Sequence, residues 1–463
     1  MAIALSAALL AVEGVSSFGL ALPITGWGSV RMVIDVALAL GLAILAATRA
    51  SAPPAIAQLF RRARPVAIIG AALLLLFTGL SLINTGNLIL FTAPARYYVT
   101  DVVAFTDECA RLTLAGHNPY TDPAGFTEAL RRFPQVTPTP LRGVIFGEGD
   151  YPAHSQVVAV ERRFLAHPET TTGAFDQRTL TSYPALSFLL YLPLVWLGTP
   201  DILLLNLLVF LALAVGLVAR GPRHERLWLG LTLSATLPLL LFSLIADTEV
   251  VALAFILVAW RYRERCWVSA IALGLGCAFR QYCWFFVPFF LLDALLRESA
   301  DASTGRVVLD AHGLSSLWRA SGWREALLRA GGMLGAFLLP NLPFLLASPA
   351  AWWSSLWLPL TEPLFPLGVG LVALAKGHDM PYPPAALYTT LELLALAGCL
   401  WSQWRWRRQL GEAVPLLALL PLFFAWRSLP NYFAIAPLLA LFAVSALARA
   451  RTERAPVLAP ATA

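Results

Sequence analysis

Residues 66–92, VAIIGAALLLLFTGLSLINTGNLILFT, contain no charged side chain and form one of the most apolar segments of the sequence. Crossing the apolar core of a bilayer takes about 20 apolar residues in a helix. The segment is preceded by Arg61, Arg62 and Arg64, and short loops rich in Arg face the cytoplasm. We therefore predict a transmembrane helix that begins at the cytoplasmic side and ends at the outer face.

The composition of the whole chain agrees with this reading. The 463 residues are 58% hydrophobic and only 13% charged, whereas about a quarter of the residues of a soluble domain are charged. The apolar segments lack the alternation of a membrane β-barrel. The net charge of +6 is best explained by Arg in cytoplasmic loops that contact anionic lipid, so nucleic acid is not an expected partner. The sequence predicts an all-α polytopic membrane protein.

Thirteen apolar segments are candidate spans: 4–22, 31–48, 66–92, 183–199, 201–219, 227–245, 248–262, 266–279, 282–297, 327–347, 383–402, 412–426 and 430–449. Several are interrupted by prolines, namely Pro184, Pro193, Pro340 and Pro343, and are expected to be tilted or broken. Thirteen crossings cannot leave both termini in the cytoplasm, where the Arg bias places them. We therefore expect about twelve, with 183–199 or the N-terminal segment re-entrant or absent.

This topology places two long segments on the outer face, 93–182 and 348–382. The first, the outer loop 93–182, contains helix-like pieces at about 101–115, 124–133 and 155–166. Loops of this length in compact proteins are usually functional or disordered, and the aromatic and aliphatic content here favours order. The tail 450–463 is expected to be cytoplasmic and disordered.

Asp101, Asp107 and Glu108 lie where the chain leaves the membrane, in DVVAFTDECARLTLAGHNPY, residues 101–120. An ionisable residue close to lipid is a functional candidate, because partial desolvation raises the pKa of a carboxyl toward that of a useful general base. The alternative for Asp101 is an exposed helix N-cap. For Asp107 and Glu108 the solvated face of a helix is the favoured interpretation. Gly116 and Pro119 predict the end of that helix.

Other polar residues stand in short connections between apolar segments on the outer face. Arg280 and Arg427 are there against the usual distribution of Arg, and Arg can grip a phosphate with two hydrogen bonds. Lys376 and His378 are further cation candidates. Glu148 and Asp150 form either a turn or a second acidic site, and Asp247 and Glu249 form an acidic turn that could face a cavity. The five scattered cysteines and six dispersed histidines predict no metal site.

Several of these residues resemble motifs of a known family. The run Asp-Val-Val-x-Phe at 101–105, followed by Leu-x-Leu-Ala-Gly-x-Asn-Pro-Tyr at 112–120, resembles the first-loop signature of integral-membrane C-type glycosyltransferases. It is most similar to the polyprenol-phosphate-mannose-dependent mannosyltransferases of glycosyltransferase family 87 and their bacterial relatives. Ser182-Tyr183-Pro184-Ala185 and Ala278-Phe279-Arg280-Gln281 are further matches, with Arg280 where Lys is commoner.

The resemblance implies a GT-C-like helical domain over residues 66–449. The two extra N-terminal helices expected in residues 1–50 depart from the family pattern. The resemblance also implies transfer of a hexose such as mannose from a polyprenyl-phosphate donor to a hydroxyl of a glycan, glycolipid or other acceptor, on the extracytoplasmic face of a bacterial plasma membrane. Asp101 takes the position of the catalytic base, and no metal, nucleotide or other cofactor is required.

The same resemblance, combined with the positions of the polar residues, assigns roles around Asp101. Arg280, Arg427, Lys376 and His378 are the candidates for the donor phosphate. The candidates for the substrate cavity are Asp107, Glu108, Asn118, Tyr120, Tyr183, Gln281, Tyr282, Asn431 and Tyr432. The alternative function is a transporter or flippase of lipid-linked sugars, which would require paired intramembrane charges and internal repeats.

Overall fold

The computed structural model describes residues 27–48, 64–98, 100–175, 180–199, 201–220, 230, 233, 247–301, 322–375 and 382–454. The helices in these ranges are α1 (Trp27–Thr48), α2 (Arg64–Phe91), α3 (Asp101–Leu114), α4 (Gly125–Arg132), α5 (His154–Ala166), α6 (Leu186–Leu189), α7 (Leu192–Trp196), α8 (Leu203–Arg220), α9 (Glu249–Arg261), α10 (Cys266–Phe279), α11 (Val287–Asp301), α12 (Gly322–Ala347), α13 (Pro349–Thr361), α14 (Ala385–Leu410), α15 (Val414–Leu417), α16 (Leu420–Phe423), α17 (Pro430–Ala434) and α18 (Ala436–Arg454).

Short 3₁₀ turns and one small strand pair complete the described secondary structure. The 3₁₀ turns are Pro94–Arg96, Pro168–Thr171, Gln281–Phe286, Leu371–Ala375 and Gly411–Ala413. The strands β1 (Leu367–Gly368) and β2 (Arg427–Ser428) pair in parallel. The predicted all-helical class is therefore confirmed for the described part of the chain.

Four helical stretches in the described residues are long and apolar enough to cross a membrane: Gly28–Thr48, Gly322–Ala347, Ala385–Leu417 and Pro430–Leu447. Four other apolar stretches are shorter: Thr78–Phe91, Leu203–Ala219, Cys266–Phe279 and Gln281–Leu296. Large apolar side chains, for example Leu80, Leu339 and Leu393, are exposed on six of these eight stretches, as expected of a surface that faces lipid. The chain thus has the features of a membrane protein.

The prediction of about twelve crossings is wrong, because several predicted spans are not continuous helices. Segment 183–199 is divided into the short helices α6 and α7, and 412–426 contains only α15 and α16 between turns. Prolines remove backbone donors and start new short helices at both places. Segment 4–22, nearly all of 227–245 and the tail residues 455–463 lie outside the described residues, while residues 450–454 continue helix α18.

The N-terminal helix α1 belongs to the main apolar core. Met32, Val36 and Leu40 on α1 are fully buried, and α1 packs against α18 and the 3₁₀ turn Leu371–Ala375. The second of the two extra N-terminal helices is therefore integrated in the bundle, and the first lies outside the described residues.

The predicted helices of the outer loop 93–182 are confirmed as α3, α4 and α5, each within about one residue. α4 and α5 share an apolar cluster of Phe126, Leu130, Val157, Phe164 and Phe175. α3 instead packs toward the bundle, with Cys109 and Leu112 against Phe188, Phe344 and Trp352. The loop is thus an ordered cap fixed to the helices beneath it.

The most extensive contact between two helices joins α10 and α12, and it depends on glycine. A Cβ atom on Gly274 of α10 would lie 2.4 Å from the carbonyl oxygen of Met333 and 2.8 Å from the Cβ of Ala336. Small residues allow this close approach of two backbones in a membrane. Gly331, on α12, has open space at the same position.

We expect Gly274→Ala to lower the melting temperature of the detergent-purified protein, because the added methyl group overpacks the α10–α12 contact, at a cost of about 1–3 kcal/mol. Gly331→Ala, the matched control, is expected to be neutral or stabilising because alanine is the better helix former. Equal melting temperatures for the two variants would show that the α10–α12 contact is not tight.

Candidate functional site

A cavity of about 1220 Å³ lies between the outer loop 93–182 and the ends of the bundle helices. Ten of the candidate polar residues from the sequence line it: Asp101, Tyr183, Asp247, Glu249, Arg280, Gln281, Tyr282, Arg427, Asn431 and Tyr432. They come from five separate parts of the chain, so the fold assembles the cavity.

Asp101 is the first residue of α3, and Thr100 rather than Asp101 is the N-cap. Its Oδ2 atom accepts hydrogen bonds from the backbone N–H of Thr139 at 3.0 Å and from the Thr139 hydroxyl at 2.6 Å. Burial raises the pKa of Asp101, and the bonds from Thr139 and the charge of Arg427 lower it by less. The geometry therefore excludes the exposed N-cap interpretation and leaves a desolvated carboxylate in the cavity wall.

Arg427 is held in the cavity wall by the strand pair β1–β2, which requires glycine. Gly368 has a φ of +144°, and a Cβ atom there would lie 2.1 Å from the carbonyl oxygen of Ser428. A Cβ on Gly370 would lie 2.1 Å from the carbonyl oxygen of Phe423. Only residues without a side chain permit this approach, which fixes the backbone of Arg427.

The guanidinium of Arg427 is available to a ligand. Its Nη1 atom is buried and has no hydrogen-bond partner, and no carboxylate of the described residues forms an ion pair with it. The residue is partly buried, and a buried N–H group without a hydrogen-bond partner is costly. Arg427 is therefore suited to bind an anionic group that enters the cavity.

Arg280 lines the same cavity, but unlike Arg427 it forms ion pairs with carboxylates. It is 1% exposed, and its Nη2 atom lies 2.9 Å from Asp247 Oδ1 and its Nε atom 3.9 Å from Glu249 Oε2. Its guanidinium lies 3.9 Å from the centre of the Tyr183 ring. Because two carboxylates already compensate its charge, the geometry disfavours the prediction that Arg280 binds a phosphate.

The amide of Asn431 connects the two acids that pair with Arg280. Its Nδ2 atom donates to Asp247 Oδ2 and, at 2.8 Å, to Glu249 Oε1. The acidic turn at Asp247 and Glu249 thus faces the cavity, as one of the sequence interpretations allowed. We call Asp247, Glu249, Arg280 and Asn431 the Arg280 cluster.

Asp107 and Glu108 are neither solvated nor in the cavity, so both predictions for them are wrong. Asp107 is fully buried, accepts a hydrogen bond from Arg111 Nε at 2.7 Å and lies 3.4 Å from the Tyr98 hydroxyl. Glu108 is 1% exposed and pairs with Arg132 at 2.6 Å. The face of α3 that was predicted to be wet is covered by α4 and by Tyr98.

Asn118 and Tyr120 do not line the cavity and have structural roles. Asn118 Oδ1 accepts a hydrogen bond from the Tyr120 backbone at 3.1 Å, within the turn that ends α3. The hydroxyl of the buried Tyr120 donates a hydrogen bond to the carbonyl oxygen of Tyr183 at 2.7 Å. Tyr120 therefore holds a cavity residue in place. Gly116, with a φ of +83°, confirms the predicted helix end.

The remaining candidates are outside the site or outside the described residues. Lys376 and His378 belong to the latter group. Glu148 and Asp150 are exposed and do not line the cavity. Glu148 lies next to a tight bridge between Gly143 and Gly147, so this segment is a turn. Among the residues that the structure describes, no group of three or more His, Cys, Asp or Glu is arranged to hold a metal ion.

Other cavity residues were not predicted from the sequence. Thr139 and Tyr151 belong to the outer loop, and burial raises the pKa of Tyr151 to about 12. Glu392 lies on the membrane-length stretch Ala385–Leu417 and lines the cavity. Glu392 could have been found, because a carboxyl in an apolar helix is a functional candidate. Nothing in the sequence marks Thr139.

A second, apolar cavity of about 330 Å³ adjoins the first. Trp284, Leu356 and Trp357 line both cavities. The smaller cavity is also lined by Leu334 and Trp353, which are 57% and 58% exposed. The smaller cavity thus shares a wall with the larger one and reaches the exposed apolar surface of α12 and α13.

No protein-family model matches this chain, no curated protein matches it, and no solved structure matches it.

Replacement of Arg280 and replacement of Arg427 are expected to change the melting temperature in opposite directions. Arg280→Met leaves Asp247 and Glu249 buried without their cation, and breaking such a pair costs about 3–5 kcal/mol. Arg427→Met removes the same charge without breaking an ion pair, so this matched control is expected to retain or raise the melting temperature. Thermal unfolding in detergent measures both, and an Arg280→Met variant as stable as the wild type would contradict the assignment of Arg280 as the compensated cation.

Proposed function

We propose that the protein is a glycosyltransferase that moves a sugar, a hexose such as mannose, from a polyprenyl-phosphate donor to an acceptor hydroxyl. The observation that carries the proposal is the pairing of functions in one cavity: Asp101 is a desolvated carboxylate and Arg427 is an unpaired cation. The first supplies a general base and the second a partner for phosphate. The resemblance of residues 101–120 to the family signature supports the same assignment.

The reaction is a displacement at the anomeric carbon of the donor sugar. Asp101 accepts the proton of the acceptor hydroxyl while the oxygen of that hydroxyl forms the new bond to the anomeric carbon. The bond from this carbon to the phosphate oxygen breaks, and the polyprenyl phosphate leaves with one more negative charge. Arg427 stabilises that charge where it develops, and an interaction that is stronger in the transition state than with the bound substrate accelerates the step.

The hydrogen bonds from Thr139 fix the direction of the base. Both bonds reach Oδ2 of Asp101, so Oδ1 remains to accept the proton. Burial raises the pKa of the carboxyl, and a base is more effective when its pKa approaches the working pH.

The adjoining apolar cavity supports a lipid-linked donor. Its walls of Trp, Leu, Met and Phe suit an isoprenoid chain, and the exposed Trp353 and Leu334 provide an entrance from lipid. In this proposal the lipid chain lies along α12 and α13 while the phosphate lies at Arg427. The Arg bias of the loops supports the extracytoplasmic face as the site of the proposed reaction, and the family resemblance implies a bacterial plasma membrane.

We expect Asp101→Asn to reduce sugar transfer by about 10²–10⁴-fold, the usual contribution of a general base. The assay supplies membranes with polyprenyl-phosphate sugars and follows the labelled product. Asp150→Asn is the matched control, since Asp150 is an exposed acid of the same loop outside the cavity. A folded Asp101→Asn variant with unimpaired transfer would remove Asp101 as the base.

Thr139→Val is expected to move the acidic limb of the rate profile to higher pH. The base acts in its ionised form, so the rate falls as the pH drops through the pKa of Asp101. The Thr139 hydroxyl bond lowers that pKa, and its removal raises the pKa, so protonation begins at higher pH. Thr139→Ser retains a hydroxyl and is the control. A limb that stays in place in Thr139→Val would show that another group sets it.

A further inference from the structure

The Arg280 cluster has buried polar atoms that no described residue satisfies. Asp247, Glu249, Arg280 and Asn431 are between 1% and 7% exposed. The atoms without a hydrogen-bond partner are Glu249 Oε2, Arg280 Nε, Arg280 Nη1 and Asn431 Oδ1. Buried polar atoms almost always have partners in folded proteins. All four side chains line the large cavity, so a molecule in the cavity can reach them.

The unsatisfied atoms offer both donors and acceptors at close range. Arg280 supplies two N–H donors, while Glu249 and Asn431 each supply an oxygen acceptor. Arg280 Nε and Glu249 Oε2 are 3.9 Å apart, which is too long for a hydrogen bond between them. A single group that bridges them accepts from Arg280 and donates to Glu249, as a hydroxyl can. Two neighbouring hydroxyls of a sugar ring can form hydrogen bonds with more of these atoms than a single hydroxyl can.

Charge selects a neutral ligand at this place. One guanidinium faces two carboxylates in the Arg280 cluster, so the cluster carries net negative charge when both acids are ionised. Its one cation is already shared by two carboxylates, so the cluster offers a phosphate no free positive charge, in contrast to the unpaired Arg427. Tyr183, Tyr282 and Tyr432 line the cavity beside the cluster, and the rings of Tyr282 and Tyr432 lie 5.7 Å apart. Aromatic walls with a few placed polar groups are typical of sites for small ligands.

We propose that the Arg280 cluster is the subsite that binds the hydroxyls of the transferred sugar, with adjacent hydroxyls between Glu249, Arg280 and Asn431. This assignment rests on the proposed function and makes the cluster the determinant of sugar specificity. Arg427 holds the phosphate, and the Arg280 cluster holds the neutral ring attached to it.

Direct binding tests the subsite without requiring transfer. The probes are farnesyl phosphate and its mannosyl, glucosyl and galactosyl esters, titrated into the full-length protein in detergent. We expect at least one sugar ester to bind the wild type about tenfold or more tightly than farnesyl phosphate, because buried polar atoms gain partners. In Glu249→Gln the side-chain oxygen still accepts the hydrogen bond from Asn431, and an N–H group replaces the free acceptor Oε2. This variant is therefore expected to bind the sugar ester no more tightly than farnesyl phosphate.

Three comparisons make the outcome decisive. Glu249→Gln should bind farnesyl phosphate as the wild type does, which also shows that the variant is folded, whereas Arg427→Met should weaken every probe. Glu128→Gln, an exposed change on α4, is the control. Sugar esters that bind no better than farnesyl phosphate, or a gain that survives in Glu249→Gln, would overturn the subsite.

Ligand analogues provide the same test without a mutation. Deoxy forms of the preferred sugar ester are expected to lose about tenfold or more in wild-type affinity when one of two adjacent hydroxyls is absent. Equal affinity for every deoxy form would overturn the proposal. Failure of the proposed function would give a different result. Asp101→Asn would still transfer sugar, while the wild type would still bind the sugar ester more tightly than farnesyl phosphate.

Discussion

The buried ion pairs of Arg280 hold together the parts of the chain that form the cavity. Asp247 precedes α9, Arg280 follows α10, Asn431 belongs to α17, and the Tyr183 ring from the end of the outer loop lies against the guanidinium. Taking a guanidinium and two carboxylates out of water is favourable only if their geometry is closely matched. The cluster therefore couples the positions of these four segments, and the large cavity exists in this form because they are held together.

The same constraint explains why two similar arginines have different chemistry. Both interrupt apolar segments on the same predicted face of the membrane, and the sequence gives no reason to separate them. The turn before α9 brings two acids to Arg280, whereas β1 and its glycines bring only backbone to Arg427. One arginine is thereby part of the framework and the other is free to meet a ligand. Residue type alone does not determine either role.

Structural features that depend on nearby residues were predicted correctly from the sequence, and features that depend on distant partners were not. The start of α3 at Asp101 and its end shortly before Gly116 follow from nearby residues, and both were predicted. Glu108 was predicted to be solvated because its ion-pair partner, Arg132, is 24 positions away, and the sequence does not show that the two residues meet. Thr139, which orients Asp101, is 38 positions away and has no motif. The span count failed because apolar composition does not distinguish one long helix from two short helices separated by a proline, as in 183–199.

Asp101 and Arg427 line one cavity without forming an ion pair, and this separation suits the proposed reaction. Direct ion pairing would lower the pKa of Asp101 and compensate the charge of Arg427, and both groups would then be weaker in the proposed reaction. In the cavity the charge of Arg427 lowers the Asp101 pKa less than burial raises it, and the two side chains form no ion pair. Thr139 occupies one oxygen of the carboxylate in place of a cation. A neutral hydrogen-bond donor thus orients the proposed base with a smaller loss of basicity, and it leaves the cation available to the anion that the proposed reaction would release.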